Sequence, residues 1–441
     1  MNTLLFSTLI STLGALAGAG PYTADEAVDI ALRASPLLES LAHRIDEEEG
    51  PRTLGLLFEN PELRIATRHL ERTVNPTSTV ADVLDGSSVG VRVPVPPLTA
   101  MGFEQQAYAR HVDATRSDLD DARRELAARV RVLHATVLNI DARLALVDEQ
   151  MRLGQKTREL VEKRIEVGLS TRFDESIAAL DLAAVITEHE ALLAERRLLE
   201  AELRSLLALP ASEPVVLVGD AKTPCDAVQE AHFAGAAPAS TTPSTEDAPI
   251  DPLDVPVIAP TVASIEAQIA EEENMRLTRL VDLVPWVRFV ELEYRLGNVR
   301  PDDSLRFQLG VPLPLVNFNQ DDVRTHTAKI ARLRAERAHE LTLISGELRA
   351  HRENLAGQRA LLSLYDEKTA PVIDQSLTLV DEALALGEGD PVQMTVVSAR
   401  AIKAKTKALE TRLRCDEAAI AWLARAGRDP ALGDARERTG L

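Results

Sequence analysis

The sequence predicts a mainly α chain with amphipathic β-strands, in which a strand pair and a long helical hairpin form a unit that occurs twice. Three observations carry this. Val93-Pro94-Val95-Pro96 returns as Val311-Pro312-Leu313-Pro314, 218 residues later, and Val167-Gly168 returns as Leu386-Gly387, 219 residues later. Between each Pro-x-Pro mark and its glycine mark lies a long heptad-spaced stretch almost free of proline, with Pro371 the exception in the second. Only 3% of residues are aromatic, while Ala, Leu, Glu and Arg dominate, as in long helices and coiled coils. A repeat of this length is a duplicated half-protein rather than a solenoid unit.

The elements follow in order. Thr23 caps a helix with Asp25 and Glu26 in its first turn and an apolar face of Ala27, Ile30, Ala31 and Ala34. Ser35-Pro36 interrupts it, and a second helical run reaches about Glu49. In the stretch from about 61 to 74, Leu63, Ile65 and Thr67 alternate with Arg64, Ala66 and Arg68, the period of a strand. A polar loop separates it from a second strand, about 88–97, where Val89, Val91, Val93 and Val95 alternate with Gly90, Arg92 and Pro94. Each is about 10 residues long, the length of a tilted strand crossing a bilayer.

A first hairpin is expected over about 101–209. Leu119, Leu126, Leu133, Ile140 and Val147 form one heptad row, and Arg123, Val130, Val137, Leu144 and Met151 form the other. At 1.5 Å per residue its first arm is a rod on the order of 100 Å long. Gly168 stands where a helix C-terminus favours a left-handed residue, Ser170 or Thr171 caps the return helix, and Asp174 and Glu175 complement its N-terminus. Val185, Leu192, Leu199 and Leu206 continue the heptad until Pro210. Residues 211–256 are rich in Pro, Ala, Ser, Thr and acids and read as a linker.

The pattern then restarts in a second repeat over 257–427. A helix runs from about Ala263 to Leu280. Strands follow at about 285–296, with Trp286 and Tyr294 as candidate interfacial aromatics, and at about 304–315. A hairpin is expected over about 321–426. One of its rows is Leu341, Leu348, Leu355 and Leu362; the other, Ile330, Arg337, Ile344 and His351, is apolar at only two positions. Pro371 is expected to kink or divide the rod. Pro391 suits the first turn of the return helix, and the tail, 428–441, is charged.

Composition narrows the function. A formal charge of -20 excludes a nucleic-acid surface and favours cations over anions. Residues 1–19 read as a secretory signal: Leu4 to Leu16 is apolar but too short to span a bilayer, and Ala17-Gly18-Ala19 is a small-x-small cleavage site. The leader lacks a basic residue, and no Cys follows the site to carry a lipid. No later run is apolar enough for a spanning helix, which leaves a β-barrel open. Cys225 and Cys415 read either as two unrelated thiols or, in an oxidising compartment, as one disulfide.

No P-loop, nucleophile elbow or dinucleotide fingerprint is present, His189-Glu190 does not extend to a zinc motif, and the histidines show no metal pairing. His351 and Met394 read as packing residues. No enzyme activity, cofactor or metal is therefore expected. Arg64, Arg68, Arg92 and Arg306 occupy the polar strand faces. They read as lumen-facing solvated residues, with anion attraction at an outer mouth as the functional alternative.

Several segments together resemble the TolC-like outer-membrane efflux family: residues 23–36 its opening helix, Asn60-Pro61-Glu62-Leu63 its approach to the first strand, residues 164–174 the tip of its first hairpin, and residues 311–320 the strand-to-helix step of its second half. The last segment is similar to channels of heavy-metal cation exporters. The resemblance implies a homotrimer whose chains close a 12-stranded barrel in the outer membrane, continued by a periplasmic α-helical barrel. It implies a passive conduit in a tripartite efflux system, working with an inner-membrane pump and a periplasmic adaptor (membrane fusion) protein. Val167, Gly168 and Leu169, and in the second half Leu386 and Gly387, would contact the adaptor. The sequence departs from the family at residues 392–398, which lack the acids that often narrow the pore, so an acidic gate falls to Asp174, Glu175 or Asp390. The long linker is also atypical. The competing reading is a periplasmic adaptor or structural coiled-coil protein, although an adaptor normally carries one hairpin.

Overall fold

The computed structural model describes residues 21–50, 60–66, 87–219, 223–226, 259–284, 286–295, 304–312, 318–386 and 389–426. The described chain is mostly helical with one four-stranded sheet. In order, the elements are α1 (Ala24–Ala34), α2 (Pro36–Glu49), β1 (Glu62–Ala66), β2 (Ser88–Pro94), α3 (Leu98–Glu166) and α4 (Arg172–Leu206). Then follow α5 (Pro260–Val281), β3 (Phe289–Arg295), β4 (Ser304–Gly310), α6 (Gln320–Leu364), a π-turn (Tyr365–Thr369), α7 (Ala370–Leu386) and α8 (Pro391–Arg425). The chain divides into two compact units: Glu39–Asp121 with Pro260–Thr342, and Met1–Leu38 with Ala122–Ala259 and Leu343–Leu441.

The first of these units carries the sheet. It is antiparallel throughout, in the order β1-β2-β3-β4. The described strands are shorter than the sequence suggests. The expected continuations 67–74 and 313–315 and residue 296 lie outside the described residues, as do the signal and tail segments. The corrections within them are at β2, at β3 and at β4, which ends at Gly310 with 311–312 outside it. β2 ends at Pro94 rather than about 97, because Pro94, Pro96 and Pro97 have no N–H to donate. Val95 N–H to the Arg288 carbonyl (2.8 Å) extends the pairing of β2 with β3, and Arg288 N–H to the Gly310 carbonyl (2.7 Å) that of β3 with β4; β3 itself begins at Phe289, with 286–288 outside it.

The helices of this unit pack through charge as much as through apolar seams. α5 presents Glu266, Glu271, Glu272 and Glu273. His111 Nδ1 of α3 lies 3.0 Å from Glu271, His326 and Lys329 of α6 lie 2.6 and 2.9 Å from Glu272, Arg334 lies 2.8 Å from Glu273 and Arg337 lies 2.6 Å from Glu266. Arg337 thus breaks the heptad row of the second rod because it faces a glutamate rather than a leucine.

The second unit holds the helical hairpins. Ile140 and Val147 of α3 and Val185 and Leu192 of α4 form one buried cluster, with Leu144, Met151 and Leu199 packed on it. These are the rows read from the heptads. Arg196 of α4 reaches Asp141 of α3 at 2.6 Å beside them. A second cluster joins Ala27, Val28 and Ala31 of α1 to Ala127, Val130, Leu133, Leu203 and Leu207. Thr23 caps α1 reciprocally with Glu26, as the sequence indicates.

In the second rod the better-looking row is not the better buried. Ile330, Leu333, Ile344 and Leu355 are buried, so two of the four come from the broken row and only Leu355 from the leucine row. Leu333, Ile344 and Leu355 are 11 residues apart, a spacing that suits a straight helix better than a heptad does. At Pro371 the rod does not break: the backbone stays helical from α6 through the π-turn into α7. The π-turn at Tyr365–Thr369 sits just before Pro371 and widens the backbone where the proline ring would meet a carbonyl. No helix among the described residues is long and apolar enough to cross a membrane.

Candidate functional site

Two surfaces stand out, one in each unit. The first is the sheet. Its register aligns Leu63, Val91, Leu292 and Phe307 in one row and Ile65, Val89, Tyr294 and Leu305 in the next, with Val93, Val290 and Leu309 in a third. Successive strand residues face opposite sides, so all these side chains share one face. That face is uncovered: Leu63 is 66% and Phe307 62% exposed. A face of this kind on a water-soluble sheet would be packed against a second layer.

The other face is polar. Arg64, Gly90, Glu293 and Arg306 lie in one row, and Glu62, Arg92, Glu291 and Gln308 in another. Arg64 lies 3.4 Å from Glu291 and 3.6 Å from Glu62; Arg306 lies 3.7 Å from Glu293. The Arg92 guanidinium stacks 3.7 Å above the Phe289 ring. Three of the four arginines named from the sequence therefore share one face, and Arg68 lies outside the described residues. Sequence reasoning missed their partners. Glu291 and Glu293 fall on the same alternation and were legible from it. Each of Arg64 and Arg306 has a carboxylate close by, which weakens the reading of an anion-attracting mouth.

The second surface is formed by the turns of the two hairpins. At the first, Leu169 N–H donates to the Arg164 carbonyl (2.7 Å) and Gly168 N–H to the Ile165 carbonyl (3.0 Å), the paired pattern of a helix closed by a left-handed residue. Gly168 has φ +76°, and an added Cβ there would meet nothing within 4 Å, so conformation rather than space selects glycine. Thr171 then caps α4. Its hydroxyl accepts from Asp174 N–H (3.3 Å), and its own N–H donates to the Asp174 carboxylate (2.8 Å). That N–H and the Thr171 hydroxyl, which also donates to the carboxylate at 2.9 Å, hold the Asp174 carboxyl below its ordinary range. Glu175 pairs with Arg172 at 2.9 Å.

Among the described residues of the second turn, Gly389 has positive φ (+84°), and an added Cβ there would lie 2.6 Å from Met394 Cε. Gly387, singled out by the repeat, lies outside the described residues. Asp390 caps α8 by accepting from Val392 N–H at 3.0 Å, with Pro391 following at the first helical position. Thus Asp174 and Asp390 each serve a helix end. Arg164 at the end of α3 donates to the Gly389 carbonyl at 2.5 Å, so the two turns are neighbours.

Val167, Leu169 and Leu386 are exposed here together with Phe173, at 68–73%. Phe173 was not singled out as a site residue. An aromatic at the second position of a helix, in a chain so poor in rings, is the signal that could have found it. Among the described residues no group of His, Cys, Asp and Glu could hold a metal ion.

No protein-family model and no curated protein matches the chain. Solved structures do match in fold. The outer-membrane channel OprN superposes with a TM-score of 0.70 at 14% identity, covering 92% of this chain and 90% of its own. The outer membrane protein VceC from Vibrio cholerae gives 0.69 at 15%, covering 92% and 96%. CusC, described in connection with transmembrane channel formation, gives 0.70 at 11%, covering 91% of each chain. The chain has the fold of these outer-membrane channels over nearly its whole length.

Proposed function

We propose that this chain is the outer-membrane channel of a tripartite efflux system, a passive conduit that carries substrate from an inner-membrane pump to the exterior. The observation that carries the reading is the sheet: one face apolar and uncovered, the other charged and paired. Lipid on the first face and water on the second satisfy both. The sheet cannot stand alone in lipid, because the outer edges of β1 and β4 would leave backbone groups without partners in hydrocarbon. Cyclic closure by three copies removes those edges and gives 12 strands, four from each chain. The same face argues against a periplasmic adaptor or structural coiled coil, which would have to hide it from water.

In this reading residues 1–19 are removed on export, residues 20–210 and 257–427 are the two repeats, and the helical hairpins of three chains form a periplasmic barrel. The exposed Val167, Leu169 and Leu386, set by the turns at Gly168 and Gly389, meet the hairpin of a periplasmic adaptor protein. The gate is the same end of the hairpins, opened by their rearrangement about contacts such as Arg164 to the Gly389 carbonyl. Arg64, Arg92 and Arg306 line the lumen.

The test is reconstitution. The mature protein purified in detergent should run as a trimer and, added to planar lipid bilayers, give discrete ion-conducting steps. A mature chain that stays soluble and monomeric without detergent would overturn the reading.

A further inference from the structure

The linker does not pass the hairpins untouched. Just after α4, Tyr22 N–H donates to the Val216 carbonyl (2.8 Å) and Val218 N–H to the Tyr22 carbonyl (3.0 Å), which lays this stretch beside the N-terminal segment. Val215 is buried in the same cluster as Val28, Leu133 and Leu203. Ten residues on, Cys225 is buried in a different cluster, with Leu355 of α6 and Cys415, Ala419 and Trp422 of α8. Cys225 and Cys415 form a disulfide. This settles the alternative left open by the sequence. The cysteines, 190 positions apart, meet because the linker returns to the second hairpin.

The second anchor is also held by polar contacts. Cys225 N–H donates to the Asp416 carboxylate at 3.0 Å, and Asp416 is only 7% exposed. The Cys225 carbonyl accepts from Arg359 of α6. Arg412 of α8 pairs with Asp226 at 2.8 Å, and the Thr223 hydroxyl donates to Asp226 at 2.9 Å. Both backbone polar groups of Cys225 are thus bonded to the second hairpin.

We infer that the Cys225–Cys415 disulfide is a redox lock that ties the linker to both repeats, with Val215 packed into the core of the first hairpin and Cys225 fixed by oxidation onto α6 and α8 of the second. Fully extended, ten residues reach about 35 Å at most, so the linker limits how far these levels of the hairpins separate. The lock holds α6 at Leu355 and Arg359, before the π-turn at Tyr365–Thr369. Closing the lock moves two electrons and two protons from the two thiols to a disulfide-bearing oxidant, which leaves as a dithiol. This role rests on the channel reading only for what the restraint accomplishes. The lock itself is tested on the purified protein.

The experiment is amide hydrogen exchange on the full chain in detergent, before and after reduction of the folded protein with a phosphine, and on a Cys225→Ser/Cys415→Ser variant. Exchange at Cys225 and in residues 409–422 should rise at least tenfold in both, while Val218 and residues 140–192 keep their protection. Asp416→Asn, which retains an acceptor for Cys225 N–H and leaves the disulfide intact, should exchange as the native chain does. Unchanged exchange at Cys225 on reduction would overturn the lock. Loss of protection throughout, residues 140–192 included, would also overturn it, in favour of a staple on which the whole fold depends. Conductance of the reduced protein is a separate reading, so failure of the channel assignment would leave this outcome intact.

Discussion

Phe307 offers a direct test of the apolar sheet face. It is the central residue of β4, 62% exposed, and lies in register with Leu292 of β3. Its chain neighbour Gln308 points to the opposite face, in register with Glu291. An arginine on the lipid-facing side near the middle of a barrel costs about 2–4 kcal/mol. If three copies close one barrel, Phe307→Arg costs the assembly about 6–12 kcal/mol, at least about four orders of magnitude in the folding equilibrium. Gln308→Arg places the same charge beside Glu291 on the wet face and should change stability by less than about 1 kcal/mol. The assay is refolding of the mature chain into lipid vesicles across a urea series, with the folded fraction read by its altered gel mobility. Phe307→Arg should fail to fold where Gln308→Arg and the native chain succeed. Equal behaviour of the two variants would refute the assignment of the faces.

Other substitutions test the turns and the lock. Gly168→Val forces a β-branched residue to φ +76°, a cost of about 1–2 kcal/mol confined to the turn; efflux in cells should be lost while trimers still form on gels, and unchanged efflux would count against an adaptor contact there. Ala208 ends α4 with φ +52°, which glycine adopts freely, so Ala208→Gly should raise the unfolding free energy by about 1 kcal/mol in thermal or denaturant melts. Burial holds the Asp416 carboxyl above its ordinary value, with Asp226 acting the same way and the Cys225 and Thr223 hydrogen bonds and Arg412 opposing. The folded state then binds this proton more tightly than the unfolded chain, so the residue's contribution to stability falls as pH rises from about 4 through its raised value. The melting temperature of Asp416→Asn relative to native should accordingly increase across that window, and a decrease would contradict it.

The architecture was legible because it is periodic. Alternation at Leu63 to Ala66, Val89 to Val93 and Leu305 to Leu309 survives as two clean sheet faces, since a strand with one face in water and one in an apolar phase has to be written that way. The first hairpin was legible for the same reason: Ile140, Val147, Val185 and Leu192 meet where the heptads put them. The extent of the second hairpin was legible too, but its seam was not: α6 is held to α5 by Arg337, Arg334, Lys329 and His326 against glutamates, and of the leucine row counted in the sequence only Leu355 is buried. Gly389 was passed over because the repeat in sequence falls on Gly387, which lies outside the described residues. The meeting of Cys225 and Cys415 lay beyond any local pattern, as it depends on where a linker without periodicity returns. Phe173 and the glutamate partners of the arginines were present in the pattern but unremarked.

The uncovered sheet has a consequence for the chain's life before assembly. If the chain is the proposed channel, a single copy on its way to the membrane carries a greasy ribbon with two unpaired margins, the template on which neighbouring polypeptides stack into insoluble deposits. Such a molecule cannot wait long in water. On that reading its yield in the cell should depend on escort by holding factors and on how quickly the three copies of the proposed barrel find one another.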